Sequence, residues 1–155
     1  MDNIEKQSQW VDIIAIFLSS IGAVVSTTGA GLIGLSQVQD TGGSLWPLPG
    51  LVLLDWLIIG LAGIVGAFLT IRSADTKWLR AIWLIAGSFV PLIILGAFSI
   101  GPFVAITYVL FTISDLILSF KRHPKWLECF GVFMIGLLVN LGVLLIVINL
   151  GNLNR

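Results

Sequence analysis

The feature that most constrains this chain is a run of 40 residues between Arg80 and Lys121 in which Asp115 is the one charged side chain. As a single α-helix rising about 1.5 Å per residue, it would extend roughly 60 Å, twice the hydrocarbon thickness of about 30 Å. Ordinary tilt does not absorb that excess. The run must therefore turn back, and within "ILGAFSIGPFVAI", residues 94–106, the place for a turn is Ser99-Ile100-Gly101-Pro102. Glycine tolerates the left-handed conformation that often follows a helix, and proline suits the first turn of the next one. Two spans are expected here, about 79–98 and 102–120.

The remainder reads in the same way. The chain is 57% hydrophobic and 10% charged, with mean hydropathy +1.07. A water-soluble domain is nearer half apolar and about a quarter charged, so a helical membrane protein is the expected class. Short alternating segments, the mark of a transmembrane barrel, are missing. A first span is expected over about 11–35, followed by the loop "SQVQDTGGSLWPLPG", where Gly42-Gly43, Pro47 and Pro49-Gly50 oppose helix. A second covers about 51–71 and ends at "RSADTKWLR", where Asp75 or Thr76 can cap the next helix. The last covers about 127–148, with Pro124 near its start and Glu128 in its first turn, where the helix dipole favours an anion. The N-terminal "MDNIEKQSQWVD" carries Asp2, Glu5 and Asp12 against Lys6, unlike the positive start of a signal peptide. A retained first span is expected, and residues 1–155 are read as a single integral membrane domain.

Charge placement supports the turn. With it, Lys6, Arg72, Lys77, Arg80, Lys121, Arg122 and Lys125 fall on one side and Arg155 on the other. The positive-inside rule then predicts an all-α, polytopic transmembrane bundle of five spans, N-terminus cytoplasmic and C-terminus external. Trp10, Trp46, Trp56, Trp78 and Trp126 are expected at the two interfaces, as an aromatic belt.

Several patterns inside the spans are candidates for packing or function. Gly22, Ser26, Ala30 and Gly34 recur every four residues, a row that lets another helix approach closely. Intramolecular packing on the second span, with its Gly60, Gly63, Gly66 and Ala67, is the preferred reading over oligomerisation. Pro91 cannot donate to the Gly87 carbonyl and should kink or loosen its helix, more as structural accommodation than as a gate. Tyr108, Thr112, Asp115 and Ser119 share one helical face. Intramembrane carboxylates are functional candidates, but Asp115 neutralised by Lys121, Arg122 or Arg80 is the simpler expectation. Asn140, midway along the last span, is read as a helix-packing amide that can join the same polar network. Asp55, near the outer end of the second span, is expected to stay hydrated.

The exclusions are chemical. One histidine, His123, and one cysteine, Cys129, do not make a two-histidine metal site, a bis-histidine haem site, a cysteine cluster or an internal disulfide within one chain. No lysine lies within a span to form a retinal Schiff base, and no phosphate loop, dinucleotide fingerprint or nucleophile elbow is present. No basic-aromatic patch points to nucleic acid. The expectation is a non-enzymatic protein with no catalytic residues, cofactor or metal, in a prokaryotic plasma (inner) membrane. Its partners are the lipid bilayer and either copies of itself or a larger membrane complex. It is read as a structural, accessory or partner-binding subunit, with the alternative of a small-solute or ion transporter or channel component using the stripe on the fourth span.

Overall fold

The computed structural model describes residues 2–41, 50–73, 75–96 and 100–153. It contains five helices, α1 (Asp2–Thr41), α2 (Gly50–Arg72), α3 (Thr76–Leu95), α4 (Gly101–Arg122) and α5 (Trp126–Leu153), and no strand among the described residues. Each is long and apolar enough to cross a bilayer. That is the solution hydrocarbon demands, because a helix satisfies its own backbone hydrogen bonds where water is absent.

The chain does turn between α3 and α4. Gly96 ends α3, with its N–H donating to the Leu92 carbonyl at 2.8 Å. Gly101 opens α4, with Pro102 in the first turn. Gly101 does not serve as a left-handed cap; it allows close approach. A side chain there would meet the Gly96 carbonyl oxygen at 2.7 Å, and the Gly101 N–H donates to that same oxygen. Ser99, and Phe98 at the end expected for the third span, lie outside the described residues.

Other boundaries also differ from expectation, and α5 runs on to Leu153, past the end expected near residue 148. Helix α1 continues through Ser36–Thr41, which was expected to be loop, because neither glycine nor proline interrupts it before Gly42. It also begins at Asp2, well before the apolar run. The left-handed residue is His123, at φ 48° and ψ 51°, whose N–H donates to the Ser119 carbonyl and ends α4. Asp75 caps α3 as expected, accepting from the Lys77 N–H at 3.0 Å, and this bond holds its carboxyl below the usual range. The turn residues Gly42, Gly43, Pro47 and Pro49, together with Trp46 and Arg155, lie outside the described residues.

Helices α1, α2, α3 and α4 form a four-membered ring in that order, with α2 and α4 meeting across its short diagonal. Helix α5 stands outside the ring, packed on α3 and barely touching α2. The centre is filled by Trp56, Phe89 and Phe111, all essentially inaccessible, with the two phenylalanine rings stacked 5.7 Å apart. Toward the charged connections a second cluster forms from Ala15, Ala67, Leu79, Ile82 and Leu118. Trp10, Trp78 and Trp126 are exposed, as belt residues should be, but Trp56 is 0% exposed and belongs to the core. Glycine on the facing helix admits it: a methyl at Gly29 would lie 2.7 Å from the Trp56 ring.

Ion pairs and hydrogen bonds tie one end of the bundle together. Lys121 pairs with Asp12 at 2.6 Å and Arg80 with Glu128 at 2.6 Å. Arg122 donates to the Thr70 and Ser73 carbonyls at 2.7 and 3.0 Å. A cation is thus placed at the C-terminal carbonyls of α2, where the helix dipole is negative. Both basic connections and the first part of α1 therefore share one end.

Candidate functional site

The polar side chains inside the spans fall into three groups rather than one pathway. Between α1 and α4, Ser19 donates to Ser114 Oγ at 2.8 Å, and Ser114 donates to the Ala15 carbonyl at 2.9 Å. All three residues are fully buried. This bridge closes the α1–α4 seam, and no sequence pattern marks it, since isolated serines in apolar runs have no distinctive period.

The second group is the face of α4 that carries Tyr108, Thr112, Asp115 and Ser119. Ser119 is buried and accepts from Trp83 Nε1 of α3 at 2.9 Å. Thr112 Oγ1 is buried with no hydrogen-bond partner. Tyr108 is half-buried against the central cluster. Asp115 is 2% exposed and forms no ion pair among the described residues. The expected neutralisation by nearby cations does not occur, because Lys121 binds Asp12, Arg122 binds the end of α2 and Arg80 binds Glu128. Helix geometry explains the miss: Lys121 and Arg122 leave the helix about a turn and a half or more beyond Asp115, where carbonyls and carboxylates at the membrane edge are closer.

The third group surrounds Asn140. Helices α4 and α5 meet through the Phe120 and Trp126 rings beside the connection that joins them, while Asn140 finds its partner on α3 and is not brought to the α4 stripe. Its Nδ2 donates to the Ser88 carbonyl at 2.5 Å. The carbonyl that Pro91 leaves without its helical donor is that of Gly87, so the Asn140 bond falls one residue further along, on Ser88. Helix α3 runs unbroken through Pro91 from Thr76 to Leu95. The Ser88 hydroxyl lies 3.1 Å from the Leu84 carbonyl and 3.3 Å from the Gly136 carbonyl, and its one proton is shared between them. The Asp55 carboxylate neighbours the Asn140 amide, and its Oδ2 is buried without a partner. Asp55 is half-buried, not the freely hydrated group expected at a span end.

The small-residue row of α1 faces inward. Gly22, Ser26 and Ala30 are buried and Gly34 is half-buried. A methyl at Gly22 would lie 3.2 Å from the Phe111 ring of α4 and one at Gly34 3.6 Å from Leu53, and Ser26 sits against Gly60 of α2. The tightest backbone approach is elsewhere: a methyl at Gly87 would meet the Phe133 carbonyl, and one at Gly136 the Leu84 carbonyl. These two residues are missed by a search for repeated spacing. An isolated glycine inside a helical run is the available signal.

Among the described residues no cluster of three His, Cys, Asp or Glu side chains could hold a metal ion. The described cavities open on the surface instead of running through the ring. The fold defines a five-helix integral membrane protein in which, among the described residues, Trp56, Phe89 and Phe111 occupy the centre. No family model, curated protein or solved structure matches the chain.

Proposed function

We propose that this chain is a small, non-catalytic subunit of a prokaryotic plasma membrane, serving a structural, accessory or partner-binding role, with its N-terminus cytoplasmic and its C-terminus external. The observation that carries the reading is the blocked interior. Trp56, Phe89 and Phe111 occupy the centre of the ring, and most buried hydroxyls and amides are spent on joining helices. A protein whose polar groups join helices is built to hold a shape. The orientation rests on the cations gathered at one end, which the positive-inside rule assigns to the cytoplasm. Reporter fusions after Arg80 and Lys125 are expected to read cytoplasm, and one after Arg155 outside. Native mass spectrometry of a mild-detergent extract is expected to find the chain with a stoichiometric partner. Isolation as a lone monomer would overturn the subunit reading.

Asp115 favours a second reading, in which the α4 stripe belongs to a small-solute or ion pathway. A carboxyl deep in a span without a cationic partner is costly unless it is used. In reconstituted vesicles, that reading expects flux that Asp115→Asn abolishes while insertion and folding persist. The absence of flux in the wild-type protein alone counts against it.

A further inference from the structure

The basic end of the bundle contains a cavity of about 240 Å³ at the junction of α3, α4 and α5. Arg80, Arg122, His123 and Lys125 line it, with Glu128 as its one carboxylate. Leu79, Pro124 and Cys129 supply an apolar wall. Three fixed cations face one anion, so the cavity keeps an excess of positive charge after its internal pairing. That pairing is uneven. Arg80 approaches Glu128 to 2.6 Å, whereas Lys125 stands 3.7 Å away with its side chain 84% exposed. Helix α5 also begins beside the cavity at Trp126 and adds positive potential there, whereas the α3 N-terminus at Thr76 is already capped by the Asp75 carboxylate.

The location narrows the class of anion. Exposed Trp78 and Trp126 mark the interfacial level at this end. The volume is below the roughly 300–1,000 Å³ of a pocket for a drug-sized ligand, and the mixed lining matches a phosphate attached to something apolar. Basic pockets between transmembrane helices recognise anionic headgroups in this manner. We propose that the cavity binds the headgroup phosphate of one anionic phospholipid, with Arg80 and Lys125 as its principal contacts and Arg122 held behind them by the α2 carbonyls. Glu128 orients Arg80 and competes with the phosphate for both cations.

The test uses the full chain in non-ionic detergent, with dioleoyl phosphatidylglycerol and dioleoyl phosphatidylcholine as probes that share acyl chains and differ in headgroup. Native mass spectrometry should show one phosphatidylglycerol retained in preference to phosphatidylcholine. Lys125→Gln, at an exposed side chain, should reduce that preference about fivefold, and Arg80→Gln with Lys125→Gln together roughly 25-fold. Glu128→Gln should increase it, because the competing carboxylate is gone. Lys77→Gln removes a cation at the same end but outside the cavity, and should leave the preference unchanged. Equal retention of the two lipids overturns the proposal, as does a Lys77→Gln loss matching that of Lys125→Gln. Thermal stabilisation by inorganic phosphate equal to that by phosphatidylglycerol would assign the cavity to a free anion and sink the lipid assignment. Should the double variant fail to accumulate, Lys125→Gln alone decides.

Discussion

Two helix interfaces in this protein use glycine for opposite ends. Where α5 crosses α3, Gly87 and Gly136 are each pressed against a backbone carbonyl of the other helix, Phe133 and Leu84. Within the ring, by contrast, Gly22, Gly29 and Gly63 make room for aromatic rings. Phe111 lies between Gly22 of α1 and Gly63 of α2, and Trp56 fills the space left by Gly29. The first arrangement is rigid, since a carbonyl cannot leave without bending its helix. The second is forgiving, since a ring can tilt. Packing in a membrane gains little from the hydrophobic effect, so closeness of fit has to supply the attraction. The α3–α5 contact achieves it by backbone proximity, and the ring achieves it by filling volume.

This difference predicts a graded series of effects. The largest should come from Gly136→Ala or Gly87→Ala. A single methyl there forces α5 away from α3, breaking the Asn140 and Ser88 hydrogen bonds along with the packing, at a cost of more than about 3 kcal/mol. Reversible unfolding in mixed micelles measures it, and a wild-type midpoint for Gly136→Ala would show that the two backbones are not in contact. Gly63→Ala should cost less, about 1–3 kcal/mol, because the new methyl meets the Phe111 ring at 2.7 Å and the ring can shift. Combining it with Phe111→Leu should recover part of that loss, and simple additivity would place Phe111 away from Gly63.

A smaller effect is expected from Asn140→Leu, which removes the donor to the Ser88 carbonyl but keeps an apolar side chain of similar size. About 0.6–2 kcal/mol should be lost. A loss as large as that of Gly136→Ala would make the hydrogen bond, not backbone proximity, the main tie between α3 and α5. Gly142→Ala is the control, since a methyl there meets nothing within 4 Å; its midpoint should not fall.

The smallest effect concerns the α3 cap, outside the apolar core. The Lys77 N–H stabilises the charged form of Asp75 and lowers its carboxyl pKa in the folded chain. The cap's contribution is therefore fully present above the unfolded carboxylate pKa of about 4 and is lost as pH falls through the lower folded value. Comparing wild type with Asp75→Asn between neutral and acidic pH should reveal a slight difference in slope, with the wild type losing more stability on acidification. Parallel profiles would mean that the cap is not formed.

The polar residues illustrate how far sequence pattern reaches into a membrane protein. Tyr108, Thr112, Asp115 and Ser119 do share a face of α4, because helical spacing fixes relative direction within one element. Which helix that face meets is a separate matter. Ser119 finds Trp83 of α3, and Asn140 finds a carbonyl beside Pro91 on α3, so it takes no part in the α4 stripe. Ser19 and Ser114, which make one of the deepest contacts in the bundle, sit in apolar runs with nothing to distinguish them from a serine facing lipid.

The number of helices, the turn before α4, a cap at Asp75 or Thr76 and the gathering of basic connections at one end were all determined by the sequence itself. Each follows from local rules: the length of an apolar run against bilayer thickness, and the placement of Gly, Pro, Asp and charge. The tertiary structure alone decided that Trp56 is core and not belt, that α5 stands outside a four-helix ring, and that Asp115 lies apart from the cations nearest in sequence. The reason is physical. In water the inward face of a helix is written in its apolar residues, but in a bilayer both faces are apolar, and lipid is as hospitable to leucine as the protein interior. Inward direction is then set by shape, by which glycine admits which ring or carbonyl, and that is a property of pairs of helices that no single helix carries.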